Sequence, residues 1–119
     1  MAGPKVYVTP VTAGLSPVGI LALGAITGIA NTLETTILSY TALGDETVGD
    51  IVMGGTSYAR YNIYLNTALV FVLRSGPTRQ CNLALQRPLQ LAAGDIIDVK
   101  VIHYNLTWTD DFEATILGV

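Results

Sequence analysis

The strongest constraint on this chain lies near its C-terminal end. Ile97, Val99, Val101 and His103 fall on one parity, and Asp98, Lys100, Ile102 and Tyr104 on the other. Period two over such a run, with β-branched side chains, describes a strand buried on one face. Ala92-Ala93-Gly94-Asp95 precedes it as a tight turn. Gly94 can take positive φ there, and Asp95 can bond its own backbone. After a polar loop, Phe112, Ala114 and Ile116 alternate with Glu113, Thr115 and Leu117. Two alternating strands joined this closely commit the chain to antiparallel β-structure.

The same rhythm runs upstream. Leu33–Thr41 is rich in Thr, Ile, Leu and Tyr, a strand by propensity. Leu43–Glu46 is a turn, Thr47–Met53 a second strand, and Gly54–Ser57 closes it. Tyr58–Leu65 is a third strand, with Asn66-Thr67 as a two-residue hairpin turn, though Asn-Gly is the stronger signal. Ala68–Leu73 and Gln80–Gln86 follow, separated by a loop at 74–78, and Arg87-Pro88-Leu89 leads into the Ala92–Asp95 turn. About seven strands, spaced at roughly 8–12 residues and with no helix between them, predict an all-β fold. The expected architecture is one antiparallel β-sandwich over 33–119, jelly-roll-like, with about 7–8 strands. A chain of 119 residues is long enough for one such core.

Residues 1–32 read differently. From Val6 to Leu33 there is no charged side chain. A membrane helix is disfavoured, because Pro17, Gly19, Gly24 and Gly28 interrupt an apolar run short of the ~20 residues that a span needs. A secretory signal is disfavoured too, because the run lies late and is broken by Pro10, Gly14 and Pro17. The remaining reading is an extended arm, apolar on both faces and packed against the domain or a neighbouring subunit. Val18, Ile20, Leu21, Leu23, Ile26 and Ile29 are its candidate contacts.

Composition supports a partner for that arm. Only 13% of residues are charged and half are apolar, which leaves few charges to cover a monomer. A homo-oligomer is expected, with a trimer as the state considered. The net charge is −3 and the six basic residues are scattered singly, so nucleic-acid binding is not expected.

No catalytic pattern emerges. His103 is the single histidine, on the apolar parity of its strand, and reads as a core or rim residue. Cys81 is the single cysteine and reads as a buried small hydrophobe. Asp110, Asp111 and Glu113, with Asp95 and Asp98, can be imagined around calcium or in glycosidase chemistry, but read as turn residues and solvated acids. No phosphate-binding, dinucleotide or nucleophile-elbow motif is present. The expectation is a non-enzymatic protein without a cofactor or metal. Tyr58, Arg60 and Tyr64 share a strand face, and Trp108 lies in the last loop. Such side chains suit a protein interface or, as a second reading, a sugar platform. Asn105-Leu106-Thr107 fits the glycosylation pattern, which chance also produces.

Four segments in order resemble small virion-associated proteins of tailed bacteriophages and prophages. They are ETTILSYT from Glu34, YNIYLN from Tyr61, LAAGDIIDVKVIH from Leu91 and DFEATILG from Asp111. Together they span Glu34 to Gly118, about seventy per cent of the chain. The chain departs from the pattern at Asn66-Thr67-Ala68, where these proteins usually carry a glycine after the asparagine. The resemblance implies a compact β-sandwich in the virion, most simply a capsid decoration (cement) protein. Its partners would be further copies of itself and other virion proteins such as the major capsid protein. A tail, neck, baseplate or fibre module is the alternative.

Overall fold

The computed structural model describes residues 20–29, 34–75, 80–104 and 109–119. They form eight strands: β1 (Ile20–Ile29), β2 (Thr35–Thr41), β3 (Glu46–Gly55), β4 (Ala59–Leu65), β5 (Ala68–Arg74), β6 (Gln80–Leu91), β7 (Ile96–His103) and β8 (Asp110–Gly118). Two four-stranded sheets result, ordered β1-β8-β3-β6 and β2-β7-β4-β5. Every ladder is antiparallel. The pairs β1:β8, β2:β7, β3:β6 and β4:β5 are nested, as in one long hairpin folded across itself. That connectivity is a jelly roll, and the all-β sandwich expected from the sequence is the fold observed.

Alternation places the core between the sheets. Ile97, Val99, Val101 and His103 of β7 face Phe112, Ala114 and Ile116 of β8 across it, together with Val48, Ile51, Met53, Tyr61 and Ile63. Cys81 is buried with them. Glycines allow close approaches at particular points. A Cβ on Gly24 of β1 would lie 2.5 Å from the Ile37 carbonyl oxygen of β2. Small residues are therefore required where β1 crosses the opposite sheet.

One end of the sandwich is tied by its turns. Asn66 Nδ2 donates to Asp95 Oδ1 at 2.9 Å, and Ile96 N donates to Asn66 Oδ1 at 2.8 Å. Asp95 Oδ2 accepts from Ala92 N at 2.8 Å, and Gly94 takes φ of 90°. The backbone bond from Ala92, with Asn66, holds the Asp95 carboxyl below the usual carboxylate range. Asn66 and Thr67 have φ of 50° and 72°, the positive values of a type I′ hairpin turn. A β-branched residue is strained there, because left-handed backbone costs an L-residue roughly 1–2 kcal/mol. Thr67→Gly is therefore expected to stabilise the fold by about 1 kcal/mol in urea unfolding, less what glycine returns to the unfolded chain.

Three boundaries differ from the sequence reading. The apolar segment taken for an arm supplies, over Ile20–Ile29, an edge strand paired with β8, so a division after residue 32 falls between two strands of one sandwich. β6 runs through Arg87-Pro88-Leu89, which read as a link. It bulges there, carrying residues 85–88 opposite the single Gly49. β6 is an edge strand, where a proline costs little. β3 continues through Gly54-Gly55, because β8 pairs with it that far.

Candidate functional site

The outer faces of the two sheets are built from the parities that the core does not use. On the β1-β8-β3-β6 sheet, Leu21 lies beside Leu117 and then Asp50, and Leu23 beside Thr115 and then Val52. In the next row Ala25 lies beside Glu113 and then Gly54. Leu21 and Leu23 are 67% and 68% exposed. Gly54 has no side chain, so a groove of about 730 Å³ opens over it between Leu23, Val52, Gln80 and Glu113.

On the β2-β7-β4-β5 sheet, Arg60 lies between Arg74 and Ile102, Asn62 between Val72 and Lys100, and Tyr64 between Leu69 and Asp98. Glu34 reaches across this face. Its Oε2 accepts from Asn62 Nδ2 at 2.6 Å and from the Tyr64 hydroxyl at 2.7 Å. Partial burial pulls the Glu34 pKa upward, but these two bonds, with Lys100 and Arg60 nearby, prevail and hold it below the usual range. The same hydrogen bond to Glu34 pushes the Tyr64 hydroxyl up. Lys100 Nζ sits 4.9 Å from the Tyr64 ring centroid, so one face of the ring is already covered.

The far end of the sandwich holds a polar cluster that sequence reasoning missed. His103 Nδ1 lies 3.3 Å from Asp110 Oδ2, and the two residues are only 2% and 7% exposed. Thr56 Oγ1 donates to Asp110 Oδ1 and accepts from Asp111 N, both at 3.0 Å. Gly28 N donates to Asp111 Oδ1 at 3.0 Å, which ties β1 to β8 at this end. Asp110 is therefore no solvated turn acid; the strand begins at it and turns it inward onto His103. The parity of His103 was the available signal, but the partner stood beyond a loop. The arrangement ties the ends of β7 and β8 to the turn at Thr56: Asp110 stands between the exposed Thr56 hydroxyl and the buried imidazole. Among the described residues, no three His, Cys, Asp or Glu side chains converge to hold a metal ion.

The predicted contact residues separate into groups. Leu21 and Leu23 are together on one outer face, and Arg60 and Tyr64 on the other. Tyr58 is exposed just before β4. Ile20 and Ile26 are corrections: their parity faces inward, Ile20 within the core and Ile26 packed against it. Ile29 is opposite Asp110 in the ladder. Val18 and Trp108 lie outside the described residues. Sequence reasoning missed Leu117 and Lys100, which only strand register brings to these faces, and Glu34, which its bonds to Asn62 and Tyr64 place there.

No protein-family model matches the chain, and no curated protein does. Among solved structures, a chain of the acidic stable capsid structure of Helicobacter pylori bacteriophage KHP30 has the same fold, with a TM-score of 0.55. Identity is 9%, and the likeness covers 88% of this chain and 90% of that one. It takes in most of both chains, so the fold is shared as a whole rather than as a fragment. Among the described residues, no helix is long and apolar enough to cross a membrane.

Proposed function

We propose that this chain is a structural, non-enzymatic protein of a bacteriophage virion, and that it acts as a decoration (cement) subunit between neighbouring capsid subunits. The observation that carries this is the likeness in fold, over most of both chains, to a chain of a phage capsid structure. The four ordered segments that resemble phage virion proteins point the same way, as does the exposed leucine face. The work is mechanical. In this reading the uncharged residues 6–19, which lie outside the described residues, are the segment that contacts adjacent subunits, and the sandwich caps the joint. Burial at ~25 cal/mol per Å² makes even a short apolar segment worth several kcal/mol before ordering costs. A symmetric lattice repeats that gain. A sugar-binding tail or fibre role through Tyr58, Tyr64 and Trp108 is less well supported, because Tyr64 is bonded to Glu34 and covered by Lys100.

The test is incorporation into particles. The full chain and a chain lacking residues 1–19, each supplied in trans, are quantified in purified virions by mass spectrometry. The full chain is expected on heads at high copy, and the shortened one, its folded state checked by circular dichroism, at least tenfold lower. Absence of the full chain from heads would overturn the function, and equal incorporation would overturn the role of the segment.

A further inference from the structure

The two outer faces differ in charge. Among the described residues there are four cations, Arg60, Arg74, Arg87 and Lys100, and three of them stand on the β2-β7-β4-β5 face. The acids on that face are Glu34, held by Asn62 and Tyr64, and Asp98. Arg60 and Arg74 are directly opposite each other in the ladder, an arrangement that costs the isolated fold stability. Arg74 is exposed and makes no ion pair among the described residues. Beside these cations stand Leu69, Val70 and Val72, all exposed.

The β1-β8-β3-β6 face is the complement. Asp50 and Glu113 lie in its two central strands, and no Lys or Arg shares their rows. Leu21, Leu23 and Leu117 surround them. The groove over Gly54 is acidic on one wall, at Glu113, and apolar at Leu23 and Val52. An arginine fits it well: the guanidinium meets a carboxylate while its methylenes lie on leucine and valine.

We propose that a second copy of this chain docks there, its β2-β7-β4-β5 face on the β1-β8-β3-β6 face, with Arg74 entering the Gly54 groove beside Glu113. Four strands about 4.8 Å apart and some seven residues long make a face of roughly 20 by 23 Å. In projection that is about 460 Å², a little over half of the ~800 Å² per partner of a standard interface before side-chain relief is added. The contact is heterologous, so each copy keeps one free face of each kind, and association closes into a ring or continues. The proposed function enters only through its expectation that copies meet.

Charge reversal tests it, because Glu113 and Arg74 are both exposed strand positions. The wild type is expected to sediment as an oligomer that high salt weakens. Glu113→Lys and Arg74→Glu should each be monomeric, since each sets like charges face to face. Their equimolar mixture should associate again, through native and swapped contacts in alternation. A monomeric wild type, single variants that still associate, or a mixture that stays monomeric would each overturn the proposal. Should a variant misfold, Leu23→Cys and Val72→Cys chains with a bismaleimide decide the matter. Unlike faces should cross-link at least fivefold faster than like faces, and the reverse order refutes the contact. A wild-type monomer that still enters virions would sink this inference and leave the function standing. Charge-paired association without virion incorporation would do the opposite.

Discussion

Deleting residues 1–30 is expected to collapse the fold, at a far larger cost than deleting residues 1–19 alone. The difference is β1. Its inward parity carries Ile20, Ala22 and Ile26 against the core, and its ladder with β8 runs from Ile20 to Ile29. Fully burying an isoleucine is worth roughly 1.5–3 kcal/mol, so the two lost here, with the β8 and β2 surface they cover, exceed about 5 kcal/mol. Part is returned as conformational entropy of strand residues that no longer need ordering. The net remains a large share of a typical stability of roughly 5–15 kcal/mol. The shorter chain also presents β8, with no Lys or Arg, as a bare edge that templates aggregation. The midpoint of thermal unfolding should fall by at least ~15 °C relative to the 1–19 deletion, with precipitation on heating. Equal midpoints would show that β1 contributes nothing to the sandwich.

That same strand shows where the sequence was legible. From β2 onward most strands announce themselves, because one parity is apolar and the other is not; β5 is the exception, apolar on both. β7 is the clearest case: Val99 and Val101 turn inward while Asp98 and Lys100 turn outward. β1 offers no such contrast. Leu21 and Leu23 are as apolar as Ile20 and Ile26, so its parity is set only by its ladder with β8. The apolar excess was readable as a surface in need of a partner. That half of it lines the core was not, since this depends on a strand ninety residues away in the chain.

The candidate faces were legible to a similar degree. Arg60 and Tyr64 share a parity on one strand, and the sequence alone paired them. Arg74 and Lys100 join them only through the registers of β5 and β7. Glu34 and Asp110 are the instructive failures. Glu34 drew no reading of its own and Asp110 read as a solvated acid, yet one is bonded to Asn62 and Tyr64 and the other lies buried against His103. A short acid at a strand end carries no local mark of what the next sheet position holds.

Phe112 is expected to be the most sensitive single side chain, and Gly55 explains why. The ring is 2% exposed, packs edge-on against Tyr61 at 6.3 Å and lies 5.3 Å from the His103 ring. It joins the hydrophobic core to the His103–Asp110 end of the sandwich. Phe112→Ala should cost about 3–5 kcal/mol in urea unfolding, with a second loss of order around His103. Gly55 lies beneath the ring: an added Cβ would stand 2.2 Å from Phe112 Cδ1 and 2.6 Å from the Asp111 carbonyl oxygen. Gly55→Ala should therefore cost roughly 1–3 kcal/mol by displacing the ring and crowding that carbonyl. The double variant decides whether this contact is the cause. With the ring gone, the methyl has space and fills part of the cavity, so the combined loss should fall short of the sum by about 1 kcal/mol. The residual cost of Gly55→Ala in that background then reports the clash with the Asp111 carbonyl alone. Strict additivity would mean that the ring does not rest on Gly55, and that β3 and β8 meet differently at the end where His103 and Asp110 are enclosed.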